Sequence, residues 1–495
     1  MNQYRHIAVV GTGVSGQATA CFLLEHAKAV GLQTLTLVDS AQTEALSAFA
    51  ANLATENPSA TKIITHFSAT QVPPRTDKEA TCKSFSSTKV EPGEAEECGA
   101  TLASTPEARG QYDLCIITPG LPPHTVLSRS AYEHSREVIS EVEFAYRFSP
   151  PGLTWVAITG TNGKTTTTEL VRSVLAEPHN TQRKVYSVGN IGTPALELLD
   201  QVQTGDIFVA EVSSFQAARL TSFKPQVAAL LNLSADHLDW HEGIARYAAD
   251  KCEIFAKSAD GDLVLAPAMN QLHPEARPVV MTALKAARDR GAQVQVIQAD
   301  EALLPLPVEE MQIRGKHNLV NACFATEIAH YFGVPRDDVA RALRDFAPQP
   351  HRMQEVGRFN DVLYVNDSKA TNPDSAIQAL GAYAGLELIV LLGGKNKGAD
   401  YHDLAKVALE RANTILLFGE AEDELLNIIE KTHVEGVRPA VTTCGSMRDA
   451  VKTACRIAKP QQVVLLSPAN ASFDEFQNYA DRGETFTRVV NECAG

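Results

Sequence analysis

Short runs of apolar residues alternate with segments of helical periodicity along the whole chain, the pattern typical of parallel α/β units. The runs predict strands in three series. The first series is 6–10, 35–38 and 114–117, the second is 155–159, 185–188, 207–209, 227–231 and 263–265, and the third is 362–365, 388–392, 414–418 and 463–467. The predicted fold class is α/β.

Two proline clusters separate the three series, Pro150–Pro151 and Pro348 with Pro350. Proline fixes φ and restricts its predecessor, so such clusters favour semi-rigid linkers. A chain of 495 residues is also too long for one compact core. We therefore predict three domains: a Rossmann-like domain at 1–150, a central P-loop ATPase-type domain with a mostly parallel sheet at 151–348, and a second Rossmann-like domain at 349–495.

One segment, residues 71–112, departs from the alternating pattern. It is rich in Ser, Thr, Glu, Pro and Gly, and its few large apolar residues show no period. This composition predicts a long surface insert in the first domain. Cys82 and Cys98 lie within it, and solvated thiols are the favoured interpretation over a redox or metal pair.

Composition excludes several classes of protein. The net charge is −15, which disfavours nucleic-acid binding because phosphate backbones need clustered cations. The longest apolar runs have the length of strands, so no membrane insertion is expected. The chain enters its first strand without a signal segment, and the nine cysteines show no paired spacing. We expect a cytoplasmic, monomeric protein with reduced thiols.

A glycine-rich loop follows the first predicted strand, from Gly11 to Gly16, and Asp39 closes the next strand. Such glycines allow a tight turn, and the following helix N-terminus attracts a pyrophosphate. Three interpretations stay open at this point: a nicotinamide dinucleotide, a nucleotide-sugar diphosphate, and a βα turn without a ligand.

A second loop, GTNGKTT at 160–166, follows the strand WVAIT. Successive backbone N–H groups can surround the phosphates of ATP, Lys164 can neutralise them, and the Thr165 hydroxyl can bind Mg²⁺. The common P-loop spacing would place glycine at position 158, where this chain has Ile158. The loop is therefore a variant, and it disfavours a pure dehydrogenase.

Two carboxylates and an imidazole follow two strands of the second series. Glu211 begins the segment EVSSFQ after one strand, and Asp236-His237 follows the strand VAALLNL. Carboxyl ends of strands form the ligand-binding edge of an α/β sheet, where Mg²⁺ needs oxygen ligands. Glu211 as a surface residue and His237 as a structural residue are the alternatives.

Lys251 occupies an unusual position. Ile244, Tyr247, Ala248 and Ile254 fall with it on one apolar helical stripe, which predicts that Lys251 faces inward. Either its stem packs while the ammonium reaches water, or the amine is desolvated, has a lowered pKa, and reacts with CO₂ to form a carbamate that binds Mg²⁺.

Polar groups also cluster later in the chain. In GKHNLVN, Asn318 and Asn321 share a helical face, where they can bind a nucleotide or cap the helix. Arg352 follows the second proline cluster, in the linker between the second and third predicted domains. NDSKATN at 366–372 and GGKNKG at 393–398 follow strands of the third series. Ser472 and Glu475 match a capping box, which predicts a helix starting there.

The order of these motifs resembles the Mur ligases across nearly the whole chain, with folylpolyglutamate synthase as a relative. The shared motifs, in chain order, are GTNGKTT, Glu211 after the next strands, Asp236-His237, Lys251, GKHNLVN, and His351-Arg352 in the second linker. Within the family, EVSSFQ, NDSKATN and LLSPANASFDEFQNYADRGETF resemble the members that add D-glutamate. The chain departs from the family pattern at Gln354, where glutamate is frequent, and at Tyr479, where phenylalanine also occurs.

The resemblance implies an ATP-dependent ligase that joins D-glutamate to UDP-N-acetylmuramoyl-L-alanine, with two Mg²⁺ sites. The implied catalytic residues are Lys164, Glu211, His237, Lys251 and Lys369. The implied ATP contacts are Gly160, Thr161, Asn162, Gly163, Lys164, Thr165, Thr166, Asn318, Asn321, Arg352 and Asp367. The implied contacts with the UDP-linked substrate are Gly13, Val14, Ser15, Gly16, Asp39, Ser40, Thr118, Pro119, Gly120, Asn190, Ser213 and His237. The implied D-glutamate contacts are Lys369, Thr371, Lys397, Ser472 and Tyr479. The implied metal ligands are Thr165, Glu211, His237 and a carbamylated Lys251.

Three other functions remain as alternatives. A nicotinamide-dependent oxidoreductase would use the first glycine loop and leave GTNGKTT without a role. A catalytically inactive nucleotide-binding scaffold would not need Lys164, Glu211, His237 and Lys251 together. A folate polyglutamylating ligase is disfavoured by the glycine-rich first domain.

Overall fold

The computed structural model describes residues 4–39, 49, 53, 62–67, 111–119, 121–176, 183–347, 350–383, 385–396, 399–434 and 439–494. Most of the predicted insert at 71–112 lies outside these residues. None of the described helices is both long enough and apolar enough to span a bilayer.

The described strands are β1 His6–Val10, β2 Thr34–Asp39, β3 Lys62–Phe67, β4 Leu114–Ile117, β5 Val138–Ser140, β6 Thr154–Thr159, β7 Val185–Gly189, β8 Ile207–Glu211, β9 Val227–Leu230, β10 Leu263–Pro267, β11 Gln293–Ile297, β12 Gln354–Phe359, β13 Val362–Asn366, β14 Leu388–Gly393, β15 Thr414–Phe418, β16 Ala440–Thr443 and β17 Val463–Ala469. The α-helices are Val14–Glu25, Ala27–Val30, Val126–His134, Glu141–Arg147, Lys164–Leu175, Ala195–Leu198, Ser214–Ala217, Leu238–His241, Ile244–Cys252, Arg277–Asp289, Lys316–Tyr331, Arg336–Asp345, Pro373–Ala382, His402–Arg411, Glu422–Lys431, Met447–Ile457 and Tyr479–Cys493.

These strands form three sheets. The N-terminal sheet has the order β3-β2-β1-β4-β5, the central sheet β11-β10-β9-β6-β8-β7, and the C-terminal sheet β12-β13-β17-β14-β15-β16. Among these described strands, all pairings are parallel except that of β12 with β13. The α/β fold class is confirmed, and each sheet directs the carboxyl ends of its parallel strands to one edge.

Every strand predicted from an apolar run is present. The five strands that the pattern missed are β3, β5, β11, β12 and β16. They include both outer strands of the C-terminal sheet and one of the central sheet, where one side of the strand lacks a neighbour. The exposed residues of β11 and β16 show the reason: an edge strand carries polar side chains and so has no continuous apolar run.

The buried apolar residues divide unevenly among the sheets. One cluster runs from Tyr4 to Ala292, and it joins the N-terminal and central sheets through a contact region that includes Phe144, Trp155 and Phe223. Within the described ranges, the two clusters that cover the C-terminal sheet contain only residues beyond 350. The C-terminal sheet therefore has a core of its own.

One expectation about the cysteines is wrong. We expected reduced thiols, but Cys455 and Cys493 form a disulfide, with their Cα atoms 6.3 Å apart. The two residues lie on the helices Met447–Ile457 and Tyr479–Cys493, which pack side by side. Their sequence separation of 38 residues gives no pairing signal, because only the fold brings these helices together.

Candidate active site

The glycine loop after β1 packs tightly against the loop after β4. A Cβ atom on Gly11 would lie 2.1 Å from Thr118 Oγ1, and one on Gly16 would lie 1.9 Å from Gly11 O. The carboxylate of Asp39, at the end of β2, accepts a hydrogen bond from Thr12 N at 2.8 Å. The loop thus needs glycine for close packing. Ser40 and Gly120, two predicted contacts, lie outside the described residues.

The N-terminus of the helix Val14–Glu25 is open to solvent at this loop, and Val14 is 73% exposed. Because β1 lies between β2 and β4, the predicted residues after these three strands meet at one edge of the N-terminal sheet. They are Gly13, Val14, Ser15, Gly16, Asp39, Thr118 and Pro119. This edge offers backbone N–H groups to an anion.

The phosphate loop after β6 lies between the two strands that carry the other predicted ligands. β8 ends in Glu211, and β9 leads to His237. Gly163 has φ 82°, and a Cβ atom there would lie 2.6 Å from Asn321 Oδ1. Lys164 Nζ donates to Gly160 O at 3.0 Å and to Thr161 O at 2.9 Å. The lysine thus lies folded against its own loop.

Glu211 is the centre of a buried polar group. Its Oε2 atom accepts from Thr165 Oγ1 at 2.8 Å, and its Oε1 atom accepts from Asn190 Nδ2 at 3.0 Å. Glu211 is 3% exposed. A carboxylate and a hydroxyl in contact supply hard oxygen ligands, so these residues fit the Mg²⁺ that the sequence predicts.

Lys251 faces inward as its stripe predicts and is 1% exposed. Its Nζ donates to Gly160 O at 2.9 Å and lies 4.7 Å from the centroid of the Tyr247 ring. Burial, and secondly the charge of Lys164, lower the pKa of Lys251 well below its ordinary value. An amine with a lowered pKa is nucleophilic enough to form a carbamate, so the surroundings fit that prediction.

His237 immediately precedes the four-residue helix Leu238–His241 and has a left-handed backbone conformation with φ 52°. Its ring contacts Phe215 edge-on, with ring centroids 4.9 Å apart, and its Nε2 atom lies 3.6 Å from Asp236 Oδ2. The adjacent segment EVSSFQ forms a capping box in which Ser213 accepts from Gln216 N. His237 and Ser213 therefore lie on neighbouring turns beyond β9 and β8.

A cavity of about 330 Å³ separates the central and C-terminal sheets, and five of the eleven predicted ATP contacts line it. Those that line it are Asn162, Gly163, Asn321, Arg352 and Asp367. Asn318 and Asn321 share a helical face as predicted, since Asn321 Nδ2 donates to Asn318 Oδ1 at 3.1 Å. Burial raises the pKa of Asp367 to about 6, although Arg352 opposes that shift.

Lys369 connects the C-terminal sheet to the phosphate loop. Its Nζ donates to Thr165 Oγ1 at 3.2 Å and lies 5.6 Å from the centroid of the Tyr479 ring. Burial lowers the pKa of Lys369 to about 8, and Arg352 adds to the shift. Three predicted residues, one from each of three separate segments, therefore meet in space.

Two of the three remaining predicted D-glutamate contacts lie within the described residues. Thr371 is half-buried and Ser472 is buried. Lys397 lies outside the described residues, and Lys395 of the same motif forms an ion pair with Glu420 at 3.1 Å.

The predicted capping box at Ser472 and Glu475 is wrong. The last helix begins at Tyr479, and Asn478 caps it by accepting from Ala480 N and Asp481 N. Glu475 instead accepts from Met447 N, at the start of another helix. The S-x-x-E spacing is short and occurs without a helix when a distant backbone N–H competes for the carboxylate.

Sequence reasoning missed three residues of the site. Ser375 Oγ donates to Asn162 Oδ1 at 2.8 Å, and Asn372 Nδ2 lies 3.3 Å from the same oxygen. The N-P pair at 372–373 is a helix-start signal that identifies this helix N-terminus. Arg482 is fully buried and donates to three backbone oxygens, those of Ser368, Asn470 and Ala471. Its position on the apolar stripe with Phe486 and Val489 was the available signal.

Taken together, the geometry places a phosphate loop, a carboxylate–hydroxyl pair and three buried or half-buried cations around one interface. Lys369 and Arg352 line the cavity beside the phosphate loop, and Lys164 lies folded within that loop. Cations and a metal site at the γ-phosphate stabilise the charge that develops in phosphoryl transfer. An arrangement of this kind is suited to chemistry on a phosphoryl group.

Comparison with known proteins gives consistent matches. Residues 158–329 match the Mur ligase middle domain, and residues 351–470 match the Mur ligase glutamate ligase domain. The chain is 36% identical over 420 residues to the UDP-N-acetylmuramoylalanine–D-glutamate ligase of Thermobifida fusca, covering 81% of this chain and 89% of the relative. It is 35% identical over 391 residues to the protein of the same name from Aquifex aeolicus, covering 78% and 89%.

Solved structures support the fold alone. The crystal structure of MurF from Acinetobacter baumannii matches with a TM-score of 0.53 and 18% identity, covering 79% of this chain and 93% of that chain. MurF from Thermotoga maritima in complex with ADP matches with a TM-score of 0.51 and 17% identity, covering 79% and 97%.

Proposed function

The chain belongs to the Mur ligase family, and from that premise we propose that it joins D-glutamate to UDP-N-acetylmuramoyl-L-alanine while ATP is converted to ADP and phosphate. The observation that carries the proposal is the contact of Lys369 with Thr165, 3.2 Å long. This contact brings Lys369, which is predicted to bind D-glutamate, to the Thr165 hydroxyl of the phosphate loop.

In the proposed reaction, the L-alanine carboxylate attacks the γ-phosphorus of ATP, and ADP leaves with the bond electrons. The resulting acyl phosphate is attacked by the amine of D-glutamate, and phosphate leaves as the amide forms and the amine loses a proton. Lys164 and Lys369 offset the negative charge on the transferred oxygens. Arg352 lies at the same cavity and can contact the γ-phosphate.

The proposal includes two Mg²⁺ sites, one held by Thr165 and Glu211, the other by His237 and a carbamylated Lys251. When bound, the metal supplies Lewis-acid stabilisation of the phosphoryl oxygens. The UDP portion of the substrate would bind at the edge of the N-terminal sheet, with Asn190 and Ser213 contacting the muramoyl-alanine portion. The proposal also retains the predictions of a cytoplasmic monomer.

Phosphate release with ATP and UDP-N-acetylmuramoyl-L-alanine tests the function, with D-glutamate, L-glutamate, D-alanine and L-lysine offered in parallel. We expect release with D-glutamate only. Lys164→Ala should slow that release on the order of 100-fold, because it removes a cation from the phosphates. Lys257→Ala, which removes an exposed lysine, is the matched control. Release with another amino acid would overturn the D-glutamate assignment, and no release from folded protein would overturn the ligase assignment.

A further inference from the structure

Three buried side chains form a continuous hydrogen-bonded chain behind the proposed metal site. His241 Nδ1 lies 2.7 Å from Asp250 Oδ2, and His241 Nε2 lies 2.9 Å from Ser214 Oγ. All three residues are at most 4% exposed. Because a carboxylate oxygen accepts, Nδ1 donates to Asp250, and in the neutral imidazole Nε2 accepts from the Ser214 hydroxyl. We call these three residues the brace.

Each member of the brace comes from a different element, and each element carries a proposed site residue. Asp250 precedes Lys251 on the helix Ile244–Cys252. His241 ends the turn that His237 begins. Ser214 opens the short helix after Glu211 and Ser213. The brace therefore links, by two short hydrogen bonds, the three segments that present those groups.

The order Ser–His–Asp also occurs in hydrolases, where the serine is a nucleophile. Here Ser214 is 3% exposed and His241 is 1% exposed, so an acyl donor cannot reach the hydroxyl. These hydrogen bonds therefore hold the three segments together and do not activate Ser214 as a nucleophile. Arg246 Nε lies 3.0 Å from the second oxygen of Asp250, which occupies that oxygen as well.

The turn between His237 and Glu242 needs such support. Both residues have left-handed backbone conformations, with φ 52° and φ 60°, and neither is glycine. Conformations of this kind are strained for residues other than glycine and persist where the surroundings determine them. His241 lies within the strained segment and is also stacked against Phe215, with ring centroids 5.7 Å apart.

We propose that Asp250, His241 and Ser214 are positioning residues, which hold His237, Lys251 and the Glu211–Ser213 segment in one fixed arrangement. The inference rests on the proposed function for its catalytic consequence, but the structural coupling of the three elements does not depend on it. Groups that orient metal ligands from behind commonly change metal affinity or activity by 10- to 100-fold when removed.

The first test is amide hydrogen exchange of residues 237–242 in the ligand-free protein. Asp250→Ala and Ser214→Ala should each exchange on the order of 10-fold faster there than the wild type. Asp250→Asn keeps an oxygen that accepts from Nδ1, so it should restore most of the protection. Ser214→Ala removes one oxygen atom and tests the same link if Asp250→Ala does not fold.

Asp206→Ala is the matched control. Asp206 is also a buried carboxylate of the central sheet, 3% exposed, and it accepts from Lys184 N and Gln203 N. It precedes the start of β8, whereas Glu211 ends that strand. Loss of Asp206 should destabilise the protein without changing exchange in residues 237–242. Equal acceleration in this control, or none in the brace variants, would overturn the proposal.

The second test separates positioning from folding in the active protein. The brace variants should lower kcat by 10- to 100-fold and weaken Mn²⁺ binding in the presence of ATP, measured by electron paramagnetic resonance, by a similar factor. The KM for D-glutamate should change less than about twofold, because the hydrogen bonds and ion pair of the brace among the described residues stay within the central domain. Unchanged kcat and Mn²⁺ affinity would refute the positioning role. A wild type without phosphate release would instead refute the proposed function, and hydrogen exchange would still decide the coupling.

Discussion

Asp367 is a buried carboxylate whose position favours ligand binding over stability. It accepts from Ser467 Oγ at 2.8 Å and from Met353 N at 3.1 Å, at the cavity where the proposed ATP contacts meet. Even so, burial raises its pKa to about 6. The ionised form therefore lies above its ordinary free energy in the folded protein, by about 3 kcal/mol at most.

The pH dependence of unfolding tests this cost. Because the pKa in the folded state lies above the unfolded value, the folded state binds the proton first as pH falls, and protonation stabilises it. Relative to Asp367→Asn, the wild type should gain free energy of unfolding as pH falls from about 7 to about 5. Urea unfolding of both proteins across this range measures the difference. A difference that stays constant with pH would show that Asp367 titrates normally.

At the residue scale, the sequence could predict which side chains belong to the site and whether they face inward. It could not predict which residues they contact. The apolar stripe of the helix Ile244–Cys252 predicted that Lys251 faces inward, and the structure confirms it. The same stripe does not reveal that the ammonium meets Gly160 O, because that contact joins segments 91 residues apart. Ser375 and its contact with Asn162 were missed for the same reason.

At the scale of elements, interior strands could be predicted and edge strands could not. β14 is buried along its whole length and β6 from its second residue onward, so an apolar run is required there. β12 and β16 are mostly exposed or half-buried, so polar residues are tolerated and the run disappears. The start of the last helix was also misplaced, because Glu475 accepts from the distant Met447 N and the adjacent Asn478 caps the helix instead.

The disulfide between Cys455 and Cys493 joins the last helix, which begins at Tyr479, to the helix Met447–Ile457. Closing a loop of 38 residues restricts the unfolded chain. Cys493→Ser should therefore lower the free energy of unfolding by about 2–4 kcal/mol relative to the oxidised wild type. Urea unfolding with and without dithiothreitol measures the effect.

Two comparisons make the disulfide prediction specific. Dithiothreitol should bring the wild type to the stability of Cys493→Ser and leave that variant unchanged. Cys444→Ser, which removes a half-buried cysteine that forms no disulfide, should keep the sensitivity of the wild type to dithiothreitol. A wild type whose stability does not respond to dithiothreitol would contradict a stabilising disulfide.

At the scale of the whole molecule, the three sheets are attached to one another in different ways. The N-terminal and central sheets share a buried apolar cluster, which fixes one against the other. The C-terminal sheet meets the phosphate loop through polar contacts from Lys369, Asn372 and Ser375. Polar interfaces exchange readily with water, so the C-terminal sheet is the part most free to move. The boundaries of the three predicted domains stay a prediction.

Movement of the C-terminal sheet would expose the proposed acyl phosphate to water, and the contact of Ser375 with Asn162 opposes that movement. Ser375→Ala removes this hydrogen bond, worth about 1 kcal/mol, and should raise the ratio of phosphate released to amide formed on the order of fivefold. Ser446→Ala is the matched control, because Ser446 also lies at a helix N-terminus but caps its own helix by accepting from Asp449 N. Parallel measurement of phosphate and amide decides between two accounts of the interface. A raised ratio in Ser375→Ala alone means that closure protects the intermediate. Equal ratios in both variants and the wild type mean that the remaining contacts, including that of Lys369, hold the interface closed without Ser375.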